Sequence, residues 1–81
     1  MRVLYFAWLR ERIGAGSEDI ATEAATVADL VAELAARDAR HAAAFADMSA
    51  VRVALDEEMA EMTAPLAGVR EVAFFPPMTG G

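Results

Sequence analysis

The chain has 81 residues, a net charge of -6, no cysteine and no lysine, so all seven of its basic residues are arginines. A chain of this length forms one domain, whose core is too small to enclose a large substrate cavity. The missing thiols exclude a disulfide framework, a thiolate zinc site and a cysteine nucleophile, and the missing lysines exclude Schiff-base chemistry. The scattered arginines of an acidic chain argue against nucleic-acid binding.

No stretch of the sequence is long and apolar enough to predict a membrane span, and the N-terminus lacks the basic region and apolar core of a secretion signal. We therefore expect a soluble, cytoplasmic protein that does not bind membranes. No repeat, low-complexity linker or domain boundary is visible along the chain.

The first part of the chain predicts a hairpin. Residues 2–9, RVLYFAWL, form a β-branched and aromatic run that is typical of a central strand buried on both faces. Charged residues followed by Gly14 and Gly16 then predict a turn. The alternation in IATEA, residues 20–24, predicts a short second strand paired with the first.

The segment TVADLVAELAARDAR, residues 26–40, predicts the main helix. Its apolar residues recur at helical spacing, Thr26 is a favourable N-cap, and Asp29 lies in the first turn, where the helix dipole favours an acid. HAAAFAD, residues 41–47, predicts one short helical turn. Its His41 is the single imidazole of the chain and, with polar and alanine neighbours, is predicted to be a surface residue.

The remaining chain predicts two or three strands. AVRVALD (50–56) alternates as a third strand, with Val53 inward and Ala54 outward, and EEMAEM (57–62) predicts a short edge strand. The glutamates of that edge are interpreted as a solvated rim rather than as a metal site. After a turn, REVAFF (70–75) predicts the last strand, which ends because Pro76 has no amide donor for the ladder.

This order of elements predicts an α+β fold of the β-grasp, or ubiquitin-like, type. One main helix packs on one face of a mixed sheet of four or five strands, and the first and last strands lie parallel at its centre. The alternative is an open ferredoxin-like domain, which needs a second full helix where only residues 40–46 are available. We assign residues 1–75 to the domain and 76–81 to a flexible C-terminal tail.

The chain ends in FFPPMTGG, an ending that cannot pack into its own core. Pro76 and Pro77 favour an extended polyproline conformation that projects from the domain. Gly80 and Gly81 carry no Cβ, so they suit a channel too narrow for other residues. The terminal carboxylate is ionised at neutral pH and is a poor electrophile, so it needs activation before any transfer. Acyl-adenylate formation is the usual route.

RVLYFAWLRERIG (2–14), TVADLVAEL (26–34) and EVAFFPPMTGG (71–81) together resemble the small, sulfur-carrier subunits of molybdopterin synthase, the MoaD type of the ubiquitin-like superfamily. The resemblance implies that Gly81 is adenylated by a ubiquitin-activating-like adenylyltransferase that consumes ATP. A sulfur-transfer system then converts it to a thiocarboxylate. The tail next enters the large subunit of molybdopterin synthase, in an assembly of two small and two large subunits, and gives its sulfur to a cyclic pyranopterin monophosphate precursor.

The same resemblance implies that the active site lies on the large subunit and that this chain is a sulfur donor that binds no cofactor or metal. Phe74 is expected inside the core and Phe75 against the partner, while Phe6 and Trp8 are equally consistent with core and interface. Arg10 either pairs with a carboxylate across the interface or is solvated. The expected partner-binding part of the tail comprises Pro76, Pro77, Met78, Thr79 and Gly80.

Two departures from the family pattern leave the choice of activating enzyme open. LAGVREV (66–72) replaces an acidic turn before the last strand, and Asp56 stands where the family often has asparagine. Two other functional classes also stay open. One is a sulfur carrier for thiamine or another metabolite, and the other is a ubiquitin-like protein modifier or plain binding module. The FFPP ending favours molybdopterin.

Overall fold

The computed structural model describes residues 1–77. Among them, no helix is long and apolar enough to cross a membrane. The elements in chain order are β1 Arg2–Tyr5, α1 Ala7–Ile13, β2 Ser17–Asp19, α2 Val27–Ala35, α3 Ala39–Ala44, a 3-10 turn Met48–Ala50, β3 Arg52–Leu55, β4 Glu58–Ala60 and β5 Glu71–Phe75.

The strands form one five-stranded mixed sheet in the order β2-β1-β5-β3-β4. The first and last strands, β1 and β5, are parallel neighbours at its centre, with Val3 beside Val72 and Tyr5 beside Phe74. Every other neighbouring pair is antiparallel. The predicted β-grasp arrangement is therefore confirmed. The ferredoxin-like alternative is wrong, because α1 and α3 are helices of only seven and six residues.

Helix α2 begins where the sequence predicts but ends at Ala35, short of the predicted residue 40, and α3 begins at Ala39 rather than at His41. The Thr26 hydroxyl accepts a hydrogen bond from the Asp29 amide at 3.2 Å, which satisfies one of the free donors of the first turn. Its buried residues Val27, Leu30 and Leu34 belong to the same apolar cluster as the inward side chains of the sheet. This cluster is the core of the domain.

Aromatic rings fill the centre of that core. Phe74 is fully buried, as predicted, and its ring lies 5.0 Å from that of Phe45, edge to face, and 6.3 Å from that of Tyr5, nearly parallel. Edge-to-face and offset pairs at these distances are favourable arrangements of ring quadrupoles. The last strand is thereby fixed to the core directly before the tail begins.

The prediction of one strand over residues 2–9 was wrong beyond Tyr5. Ala7–Ile13 forms helix α1, which buries Leu9 and Ile13 and ends at Gly14 in the left-handed conformation, φ 89°. Leu9 and Ile13 are four residues apart with charged residues between them, which is helical spacing followed by a glycine stop. The aromatic composition of residues 5–8 concealed this change of period.

The second strand was predicted too late in the chain. The hairpin exists, but β2 is Ser17–Asp19, paired antiparallel to β1, and residues 20–24 have no regular structure. One further backbone bond, from the Ile20 amide to the Met1 carbonyl at 2.9 Å, follows the ladder. The sequence SED has no apolar alternation, so it was not predicted as a strand. Its inward-facing residue is Glu18, which contacts polar groups instead of apolar side chains.

The third strand, β3, and the edge strand, β4, are confirmed, and they meet at a tight turn. Asp56 and Glu57 both have positive φ, 48° and 73°, as a two-residue hairpin turn requires. The Asp56 carboxylate accepts hydrogen bonds from the amides of Arg70 and Glu71 at 3.1 and 2.9 Å. It thus joins this turn to the start of β5, a bond that an asparagine carbonyl oxygen is equally able to accept.

Candidate functional site

The root of the tail lies at one end of the sheet, where the pairing of β5 with β1 and β3 ends at Phe74 and Phe75. The Phe6 amide donates to the Phe74 carbonyl at 3.1 Å, and Arg52 is the cross-strand neighbour of Phe75. Pro76 and Pro77 follow, half-buried and outside any regular element. We call Phe6, Arg52, Phe75 and Pro76 the tail root. The predicted functional residues Met78, Thr79, Gly80 and Gly81 lie outside the described residues.

A row of apolar side chains crosses the face of the sheet that is turned away from the core. The strand register pairs Leu4 with Ala73, Ala73 with Ala54, and Ala54 with Met59. On β1, β3 and β5 the alternate residues Val3, Tyr5, Val53, Val72 and Phe74 are buried in the core, and Met59 is paired with Ala54. Leu4, Ala73, Ala54 and Met59 therefore share the opposite face, which we call the open face. Met59 is 67% exposed, Leu4 and Ala73 are half-buried, and Ala54 between them is buried. A partly exposed apolar face of this kind is a candidate interaction surface.

Phe6 and Phe75 continue the open face to the tail root. The sequence left both a core position and an interface position open for Phe6. Its side chain is 48% exposed, so the core alternative is wrong. Phe75 is half-buried and alternates with the buried Phe74. Trp8, which the wrong strand placed beside Phe6, lies on α1 half-buried against the core, with the Arg12 guanidinium 4.7 Å above its ring. Contact of Phe6 and Phe75 with a partner stays a prediction.

Arg10 is an exposed residue of α1 rather than the end of a strand. Its side chain runs beside Gly16, where a Cβ would lie 3.3 Å from the guanidinium carbon. Within residues 1–77 it has no carboxylate at ion-pair distance. No carboxylate of the described residues therefore competes for its guanidinium. The pairing of Arg10 with a carboxylate across an interface stays a prediction.

His41 is buried, and the prediction of a surface residue was wrong. Its side chain is held between α3 and β2: Nδ1 lies 2.8 Å from Asp38 Oδ1 and Nε2 lies 2.8 Å from Glu18 Oε2. Tyr5 donates its hydroxyl hydrogen to the same Glu18 oxygen at 2.8 Å. Asp38, three residues before His41, is also the N-cap of α3. The sequence predicted a helical turn only from His41 onward, and that capping pattern was the available signal that the helix begins directly after Asp38.

The His41 cluster favours the charged imidazolium. Burial by itself lowers the pKa of His41, but the hydrogen bonds to Glu18 and Asp38 outweigh it and raise the pKa above the ordinary 6.5. For Glu18, burial raises the pKa, but hydrogen bonds from His41 and Tyr5 prevail and hold it below the ordinary 4.5. Both ring nitrogens therefore act as donors to carboxylates. The cluster ties the edge strand β2 to α3 and is structural, not part of the tail root.

This cluster predicts a pH dependence of stability. The contribution of His41 is complete below pH 6.5 and is lost as the pH rises through its higher folded pKa. The contribution of Glu18 is complete above pH 4.5 and is lost as the pH falls through its lower folded pKa. Urea unfolding of the natural chain at about pH 5 to 9 should show a declining free energy of unfolding that His41→Gln flattens. Equal slopes in both proteins would contradict the assignment.

The described residues offer no metal centre. Among residues 1–77, no three histidine, aspartate or glutamate side chains are grouped so that they could hold a metal ion. Glu57 and Glu58 are exposed at the hairpin turn, Glu61 follows β4, also exposed, and β4 lies at the edge of the sheet. Charged side chains at such an edge oppose pairing with another chain.

Comparison with known proteins agrees with the fold and with the ending of the chain. The molybdopterin synthase sulfur carrier subunit of Escherichia coli (strain K12) is 37% identical over 81 residues, which are 100% of this chain and 99% of that protein. The crystal structure of SAMP1 from Haloferax volcanii superposes with a TM-score of 0.77 at 28% identity, covering 100% of this chain and 98% of that one. The ThiS family matches residues 3–81, from the first strand to the final glycine. The chain belongs to the ThiS family.

Proposed function

We propose that this chain is a sulfur carrier for molybdenum cofactor biosynthesis, the small subunit of a molybdopterin synthase. The observation that carries the proposal is the full-length likeness to the Escherichia coli sulfur carrier subunit, at 37% identity with 100% and 99% coverage. Because the match runs to the last residue, it includes the Gly-Gly ending that the chemistry needs. The fold supplies a rigid platform from which β5 leads into that ending.

The reaction sequence takes place at the carboxyl group of Gly81. Its carboxylate oxygen attacks the α-phosphorus of ATP and displaces pyrophosphate, which gives an acyl adenylate on the activating enzyme. A sulfide-level sulfur supplied by the sulfur-transfer system then attacks the acyl carbon and displaces AMP, which leaves a thiocarboxylate. In the large subunit, the thiocarboxylate sulfur bonds to a carbon of the cyclic pyranopterin precursor and displaces an oxygen from it, and water then cleaves the acyl–sulfur bond to restore the Gly81 carboxylate. A second carrier chain repeats the transfer, because the dithiolene contains two sulfurs. ATP is consumed by the activating enzyme and is not a cofactor of this chain.

The composition of the chain suits this chemistry. An acyl adenylate reacts with amines and thiols, and this chain has no lysine and no cysteine. Its one amine, the N-terminal ammonium of Met1, donates to the Ile20 carbonyl at 3.2 Å, at the end of β1 opposite the tail root. The activated end therefore has no side-chain amine or thiol of its own chain to react with.

The open face and the tail root are the surface that we assign to the large subunit. Phe6, Phe75 and Met59 place exposed or half-exposed apolar area in continuity with the base of the tail. A partner that covers this surface holds the domain while the tail reaches its active site. We further propose an assembly of two small and two large subunits, located in the cytoplasm, where ATP for activation is available.

Phe6→Asp is expected to weaken binding to the large subunit at least about tenfold, because it puts a charge in the centre of an apolar contact. Phe6 is 48% exposed, so the melting temperature of the free chain should change little. Isothermal titration calorimetry with the purified large subunit measures the effect. The matched control is Ala32→Asp, an exposed position of α2 on the other side of the sheet. Equal affinities for both variants would refute the assigned surface.

The acceptor distinguishes this function from its alternatives. The thiocarboxylated chain, mixed with the large subunit and the pyranopterin precursor, should yield the dithiolene product and return the free carboxylate. A protein modifier would instead leave isopeptide adducts on lysines of other proteins. A carrier for thiamine or another metabolite would form the thiocarboxylate but give no dithiolene with this large subunit.

A further inference from the structure

The link between β1 and α1 contains a backbone conformation that its residue does not favour. Ala7, the first residue of α1, has a φ of 52°, in the left-handed region. There the Cβ comes close to the following carbonyl oxygen, which makes the conformation costly for alanine. The other non-glycine residues with positive φ among residues 1–77 are Asp56 and Glu57, whose hairpin turn requires it. Ala7 lies in no hairpin turn, so its conformation has a different cause.

Ala7 follows a residue whose backbone is held on both sides. The Phe6 amide donates to the Phe74 carbonyl at 3.1 Å, and the Phe6 carbonyl accepts from the Leu9 amide at 3.2 Å. The first bond extends the pairing of β1 with β5 by one residue, and the second forms the first turn of α1. Phe6 itself is extended, with φ -120° and ψ 155°. Ala7 is therefore the residue at which the chain changes from strand to helix.

This abrupt change separates the side chain of Phe6 from those of the helix. Leu9 is fully buried in the core, whereas Phe6 is 48% exposed and lies with Phe75 in the tail root. Ala7 is itself exposed, so burial of its own methyl group does not offset the strain. What the conformation provides is a fixed backbone beneath the exposed ring of its neighbour.

We propose that Ala7 is a positioning residue, which holds the Phe6 ring in the orientation that the large subunit binds. The inference rests on the proposed function and concerns how its docking surface is built. An interface side chain that is ordered before contact avoids the free-energy cost of being ordered on binding. Glycine at this position relieves the strain but gives access to a wider range of φ. Alanine therefore restricts Phe6 more than glycine does, although glycine suits the backbone better.

The test is a double-mutant cycle with the purified large subunit. Isothermal titration calorimetry measures the affinities of the natural chain, Ala7→Gly, Phe6→Ala and the double variant. If Ala7 acts through Phe6, its substitution has little effect once the Phe6 ring is absent. Ala21→Gly is the matched control, since Ala21 is also exposed and lies outside regular structure, next to Ile20 at the opposite end of β1.

Hydrogen exchange of the free chain tests the positioning without a partner. The Leu9 amide is bonded to the Phe6 carbonyl, so its exchange rate reports whether this carbonyl is held. In Ala7→Gly we expect the Leu9 amide to exchange about tenfold faster, because the link opens more often. The Leu30 amide, bonded to the Thr26 carbonyl at the start of α2, should exchange at its natural rate.

We expect Ala7→Gly to weaken binding about fivefold in the natural chain and less than about twofold in the Phe6→Ala chain. The melting temperature should change by less than about 5 °C, because relief of strain and the greater freedom of the unfolded chain oppose each other. Ala21→Gly should bind as the natural chain does.

Equal weakening by Ala7→Gly in both backgrounds overturns the inference, because Ala7 then acts on the partner or on the fold without Phe6. An unchanged affinity also overturns it, as does an unchanged exchange rate of the Leu9 amide or an equal loss of affinity in Ala21→Gly. If the natural chain does not bind the large subunit, the proposed function fails and the inference fails with it. That outcome is distinct from binding without coupling, which overturns the inference alone.

Discussion

Removal of Gly81 is expected to abolish sulfur transfer while leaving the domain as stable as the natural chain. The deletion places the terminal carboxylate one residue short, about 3.5 Å of chain, and makes it the carboxylate of Gly80. Activating enzymes and the large subunit act on a group that must be within bonding distance, so an offset of this size prevents reaction. Within residues 1–77 the last buried residue is Phe74, so we expect no change in unfolding.

The measurement is formation of the dithiolene product under conditions in which the natural chain turns over completely, together with the urea midpoint of each protein. Thr79→Ser, which keeps the length of the tail, is the control and should remain active. A deletion variant that still transfers sulfur, or one that no longer folds, would contradict the assignment of Gly81 as a reactive end outside the core.

Phe74→Ala is expected to lower the free energy of unfolding by about 3–5 kcal/mol, the usual cost of emptying a buried phenylalanine site. Phe74 is 0% exposed and its ring packs on those of Tyr5 and Phe45. A domain of this length has a total stability of roughly 4–12 kcal/mol, so the variant loses a large part of it. Because β5 carries the tail, sulfur transfer should fall as well.

Phe75→Ala is the matched control, one residue along the same strand on the other face. Its side chain is half-buried, so the cost should be about 1 kcal/mol or less, and its effect should appear in binding to the large subunit. Phe74→Leu keeps most of the buried volume and gives a measurable unfolding transition if the alanine variant does not fold. Urea unfolding that shows equal losses for Phe74→Ala and Phe75→Ala would contradict the assigned faces of β5.

The elements that the sequence predicts best are those whose signals are local and agree with one another. Helix α2 combines an N-cap at Thr26 with helical spacing of Val27, Leu30 and Leu34, and the structure confirms each of these features. Strand β5 combines alternation with a proline stop. Its parallel pairing with β1 followed from the apolar character of both strands, since a strand covered on both sides lies at the centre of a sheet.

The missed elements depend on features that composition conceals. Residues 5–8 are aromatic and alanine, which are compatible with a strand, and only the burial of Leu9 and Ile13 beside Gly14 indicates α1. His41 appeared exposed because its partners Glu18 and Asp38 are polar, and a buried imidazole with carboxylate partners has no apolar pattern around it. For His41 the tertiary contact, and not the local sequence, decides the burial, whereas for α1 a local signal exists and the aromatic composition before it concealed it.

The candidate site likewise contains one part that the sequence predicts and another part that only the fold brings together. The reactive end of the chain could be proposed from the motif alone, because the proposed chemistry requires a slender terminus that bears a carboxylate. The open face could not, since Leu4, Ala54, Met59 and Ala73 come from four strands and meet only through the register of the sheet. The position of Arg52 beside Phe75 likewise follows only from the register of β3 with β5.

The most direct test of the central claim is the intact mass of the chain after incubation with its activating enzyme, ATP and a sulfur donor. The account predicts a gain equal to the replacement of one oxygen by one sulfur, located at Gly81 and absent when Gly81 is deleted or ATP is omitted. An unchanged mass, with an activating enzyme proven active on another carrier, would contradict the claim that this chain carries sulfur.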